Sequence, residues 1–119
     1  MNHCSLVGHL LHHATVKGSK NHVLVFTVET KQSSASADKD DVISQVPVVL
    51  FNPSPELEEQ LTRSGRGTLV ALQGRVNTTR YESPQGEARL TTEVIAFTKS
   101  FVVLVPAANN ASVPKPAAA

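Results

Sequence analysis

Tyr81 is the only tyrosine of the chain and there is no tryptophan. It follows Arg80, with Arg75 a few residues upstream. A flat ring beside guanidinium groups can stack on another planar group and hold an anion at the same time. Those two abilities are the ingredients of binding an unpaired nucleic-acid strand, where bases stack and phosphates are neutralised. The other outcome for Tyr81 is a ring packed along its own hairpin. Phe51 closes the apolar run VISQVPVVLF, where a phenylalanine is often a core residue. Lys17, Lys31, Arg66, Arg75, Arg80 and Arg89 are candidate phosphate contacts, each with the alternative of being a solvated surface charge. Lys39 lies among Asp38, Asp40 and Asp41 and offers little net attraction.

Other chemistries find less support. His3, Cys4, His9, His12 and His13 crowd the first residues. On a regular strand His12 and His13 would point to opposite faces, and no C-x-x-C or helical H-x-x-x-H frames them, so no metal site is expected. Ser, His and Asp are present without a G-x-S-x-G elbow or a phosphate loop, so no catalytic set and no cofactor are expected.

These residues must be positioned by a small frame. The chain has 119 residues, which suits one domain with a real core. Hydrophobic residues are 40% and charged residues 18%, which excludes a wholly disordered chain. The single cysteine precludes an internal disulfide, and no apolar run reaches the length of a membrane span. The opening residues do not read as a signal peptide, so a cytoplasmic location is expected. Eleven Lys and Arg against ten Asp and Glu leave a net charge of +1, so binding to a polyanion cannot rest on bulk charge.

Alternation and turn residues divide the chain. Residues 1–17 read as a first strand, and residues 22–31 (HVLVFTVETK) as a second after a Gly-Ser-Lys-Asn turn. Residues 32–41 are small, polar and charged, a flexible hairpin loop. Residues 42–51 form a third strand, in which Pro47 demands an edge or a bulge. Ser54-Pro55-Glu56 opens a helix that ends at Gly65 or Gly67. Residues 68–79 and 88–97 are strands four and five around the turn 82–87, with a bend or bulge at Gly74 and residues 101–105 as a possible continuation of the fifth strand. The expected fold is all-β: a five-stranded OB barrel with one short helix between strands three and four. The domain is expected over residues 1–105, with an Ala/Pro-rich flexible tail over 106–119.

Several stretches then match one family in order. LVGHL (residues 6–10) is similar to the first strand of the bacterial single-stranded DNA-binding (SSB) proteins, and VVLF (48–51) to their third. GTLVALQGRVNTTRYESPQGEARLTTEV (67–94) resembles their fourth and fifth strands. The resemblance implies an OB-fold, non-enzymatic protein that binds single-stranded DNA in replication, recombination, repair or DNA transfer. It implies a stacking aromatic at Tyr81 and a base-contacting one at Phe51, with basic residues at Arg80 and Arg66. It also implies a homo-oligomer, dimeric or tetrameric, built through first-strand pairing, with His9 near the subunit contact. The family carries two tryptophans whose positions fall near Ser34 and Gln45 here, and an acidic recruiting tip that the ending VPKPAAA lacks. QVPVV (45–49) resembles the third strand of the primosomal protein PriB, which implies the alternative of an adaptor for replication proteins with weak DNA affinity.

Overall fold

In the computed structural model, residues 1–32 and 42–107 are described. Among them are seven strands and one α-helix: β1 (Cys4–Leu10), β2 (Thr15–Lys17), β3 (Val23–Gln32), β4 (Val42–Phe51), α1 (Pro55–Ser64), β5 (Leu69–Glu82), β6 (Ala88–Ala96) and β7 (Val102–Val105). The sheet runs β1-β3-β4-β6-β5, and β1 also pairs with β5, which closes a ring of five strands. β2 pairs with β3 and β7 with β5 outside that ring. This is the expected OB barrel, with its helix between the third and fourth strands of the ring.

One parity rule organises the barrel. Residues directly opposite each other in paired strands project to the same side, and successive residues alternate. The pairs Leu10–Val28, Leu24–Leu50, Phe26–Val48, Leu50–Ala96 and Leu72–Leu6 carry even-numbered side chains inward. Leu10, Leu24, Phe26, Val28, Val48, Leu50, Val70, Leu72, Val94 and Ala96 are accordingly the buried core. Phe26 meets Phe101 edge to face within it, at 5.7 Å between centroids.

The helix plugs one end. Ser54 caps it, its Oγ accepting from the Leu57 N–H at 3.2 Å, and Pro55 takes the first helical position. Leu61 is fully buried and Leu57 partly so. Gly65 ends the helix, and Gly67 turns the chain into β5 with φ at +87°, a left-handed conformation glycine adopts freely.

Three expectations need correction. Residues 1–17 are not one strand: the chain breaks after Leu10, because residues there bond elsewhere. Leu11 N–H donates to Thr27 O and Ala14 N–H to Leu61 O, both at 2.9 Å, so the segment wraps the end of α1. His12 and His13 therefore lie on a bend and its exit, not on strand faces. Residues 102–105 do not continue β6. A 3-10 turn (Thr98–Ser100) carries them back to pair antiparallel with β5. Of the bend or bulge expected at Gly74, the bulge is absent; β5 stays in register there with both β1 and β6. It is glycine because a Cβ would run into the Ile95 carbonyl. Pro47 sits as expected: β6 pairs with β4 only from Val48 onward, so Pro47 has β3 on one side only. The loop 33–41 with Lys39, and tail residues 108–119, lie outside the described residues.

Candidate nucleic-acid interface

Odd-numbered residues occupy the outer face by the same parity rule. That face carries Lys17 on β2, Lys31 on β3, Phe51 on β4, Arg75 and Tyr81 on β5, and Arg89 on β6. Six of the eight expected residues therefore share one side of the continuous sheet β2-β3-β4-β6-β5. Tyr81 and Arg89 are directly opposite each other. Arg75 is opposite Ile95.

Two expected residues fall elsewhere. Arg80 is opposite Leu90 and projects to the other side of the hairpin from Tyr81. Arg66 lies in the turn before β5, where its backbone N–H donates to His13 Nδ1 at 3.2 Å.

The hairpin holds Tyr81 away from any core. β5 and β6 run on together past the barrel, paired from Gly74–Ala96 out to Glu82–Ala88. Beyond the Val76–Val94 pair no hydrophobic side chain is buried. Tyr81 is 49% exposed, so its ring is open to a ligand and does not lie sealed in packing. The tip is a tight turn, with Ser83 N–H donating to Glu87 O at 2.7 Å and Gly86 at φ +84°. The base of the hairpin is secured by Asn2. Its side-chain amide donates to Val76 O at 2.7 Å and accepts from Val76 N–H at 2.8 Å, copying the bonds of a neighbouring strand.

The charge on this face is mixed. No carboxylate among the described residues pairs with Arg75. Arg89 is held by Glu87 at 3.2 Å, an exposed pair that is worth little and opens readily. Glu29 and Glu93 stand on the same outer face by parity and temper its attraction for a polyanion. At Gln45, near which the resemblance places a tryptophan, the side chain instead donates to Glu29 Oε2 at 3.3 Å.

Sequence reading missed Phe97 and its neighbour His3. Phe51 and Phe97 each follow the parallel pair Leu50–Ala96 by one residue, so by parity both project outward. Thr98 Oγ1 ties the two chains there, donating to Phe51 O at 2.8 Å. Phe51 is 45% and Phe97 41% exposed. The His3 ring flanks Phe97, with centroids 6.3 Å apart. The odd parity of Phe97 was legible in the sequence, but its place beside Phe51 depends on the β4–β6 register, which no local pattern carries. Among the described residues no group of three His, Cys, Asp or Glu side chains converges as a metal site would require. No helix there is long and apolar enough to cross a membrane.

Comparison with known proteins follows the same line. The chain superposes on the Plasmodium falciparum SSB in complex with ssDNA with a TM-score of 0.70 at 16% identity, covering 88% of this chain and 94% of that one. It superposes on Rim1, a mitochondrial single-stranded DNA binding protein of S. cerevisiae, with a TM-score of 0.61 at 17% identity, covering 87% and 94%. At such identity these likenesses speak for the fold. No curated protein matches at the level of sequence. The profile of the single-strand binding protein family matches residues 1–102. With that match spanning nearly the whole OB barrel, the chain belongs to the single-strand binding protein family.

Proposed function

We propose that this protein holds single-stranded DNA across the outer face of β2-β3-β4-β6-β5, stacking bases on Tyr81 and Phe51 and meeting phosphates with Arg75, Arg89, Lys17 and Lys31. The observation that carries this is that two exposed rings, Tyr81 and Phe51, and four cations lie on one side of the sheet, in a chain of the single-strand binding family. The action is passive: the strand is kept unpaired and protected, with no bond made or broken. Replication, recombination and repair are the settings in which such a strand exists. Arg80 and Arg66 contribute to the surrounding field and not to the stacking surface.

A homo-oligomer fits the outer side of β1, β5 and β7. Two rows cross these strands there, Val7–Ala71–Val102 and His9–Leu69–Val105. Val7, Val102 and Val105 are all more than two fifths exposed in the single chain. A second copy is the occupant that such a face suits, because joining domains lengthens the strand that can be held.

Titration with a labelled oligo-dT strand and the matching duplex, over a salt series, tests the reading. The expected result is tight binding to the single strand, weak binding to the duplex and quenching of the Tyr81 fluorescence. Absence of single-strand binding at low salt overturns it and favours the adaptor reading, in which the barrel bridges replication proteins.

A further inference from the structure

We propose that Phe97, flanked by His3, is a further base-stacking face, continuous with Phe51 on the outer side of β4 and β6. This rests on the single-strand-binding reading above and adds to it residues that reading does not use.

The chain has four phenylalanines, one tyrosine and no tryptophan. Phe26 and Phe101 are paired with each other, one in the core and one packed against it. The remaining three, Phe51, Tyr81 and Phe97, are each more than two fifths exposed. All three are odd-numbered residues of β4, β5 and the end of β6, and so stand on the same outer face. Chance exposure of a ring needs no explanation, but exposure of every non-core ring on one face does.

The hydrogen bonds at Phe97 are backbone ones: the N–H donates to Gln73 O at 2.8 Å, and its carbonyl accepts from Ser100 N–H at 3.0 Å. Any residue but proline would make those bonds. The ring itself lies outside the core cluster. Neighbouring strands are about 4.8 Å apart, and Phe51 and Phe97 each follow the paired residues Leu50 and Ala96 by one position. His3 adds a third planar ring at the far side of Phe97, and Arg75 lies on the same outer face of β5, opposite Ile95. Rings beside an unpaired guanidinium reproduce, at the base of the hairpin, the combination that Tyr81 and Arg89 make near its tip. The extra rings supply stacking area in a chain that has glutamine at Gln45.

The test uses the full chain and oligo-dT. Phe97→Leu keeps apolar bulk and removes the flat ring, and should weaken binding about tenfold, the loss expected for about one stacked base. His3→Ala should weaken it about threefold, by releasing the ring that flanks Phe97. Phe97→Trp should bind at least as well as the parent, and its tryptophan, unique in the chain, should be quenched on saturation. Parental affinity in Phe97→Leu, or an unchanged tryptophan signal in Phe97→Trp at saturating oligo-dT, overturns the proposal while leaving single-strand binding intact. Failure of the parent protein to bind oligo-dT overturns both.

Discussion

Tyr81 and Arg89 face each other across the β5–β6 hairpin, while Arg80, next to Tyr81 in the chain, is opposite Leu90 and points the other way. Adjacent residues on a strand cannot serve the same surface. The ring thus shares its face with Arg89 and with Arg75, six residues distant, and not with its immediate neighbour.

Salt dependence should separate these arginines. Each phosphate contact on a single strand contributes about −0.7 to the slope of log affinity against log salt. Arg75→Gln is expected to make the slope shallower by about that amount. Arg80→Gln should leave it nearly unchanged. Equal effects from the two would place the strand on both sides of the hairpin.

Removing the Tyr81 ring should cost affinity and not stability. Tyr81→Ala is expected to lose about 1–3 kcal/mol of binding to oligo-dT, with an unchanged unfolding temperature, and Tyr81→Phe should retain most of the affinity. Anisotropy titration alongside thermal unfolding reads both quantities.

Gln45 marks where binding can be gained. Gln45→Trp gives up one exposed hydrogen bond to Glu29 and adds a stacking face on the outer side. The expected gain is about 1 kcal/mol or more in oligo-dT affinity. No gain would mean that the strand does not pass over the β3–β4 hairpin.

Much of the frame was legible before the structure. The apolar run 42–51 marks β4 to the residue, and Ser54-Pro55 marks the helix start. The break after Leu10 was not legible, since it depends on Ala14 meeting the last turn of α1, far away in sequence. The return of residues 102–105 to β5 was hidden for the same reason. Of the site, residue types were legible and sidedness only partly so. Parity along one strand sets Tyr81 against Arg80, but the company of Phe51 and Phe97 needs the register between two non-consecutive strands.

Stability should be sensitive at Gly74. Gly74→Ala places a Cβ against the Ile95 carbonyl and must push β5 from β6. A loss of about 2 kcal/mol is expected, read as a lower urea midpoint. Asn2→Ala, which removes two hydrogen bonds to Val76, should cost about 1 kcal/mol and loosen amide exchange at Val76 first.

Self-association should respond to the outer side of β1 and β7. Val7→Asp combined with Val102→Asp puts charge into the Val7–Ala71–Val102 row. Light scattering should then show a smaller species than the parent at the same concentration. An unchanged mass would move the subunit contact to another face.

The length of β5 has a consequence for how such a protein can change over generations. Its first half is bound into the barrel, and its second half, with the start of β6, buries no hydrophobic side chain. Outward-facing substitutions in residues 77–82 and 88–92 therefore remove no buried apolar packing and act mainly on the ligand. The hairpin behaves as an interchangeable cassette: its rings and charges can be rewritten for a new strand, a new host or a new task, while selection on the barrel stays silent.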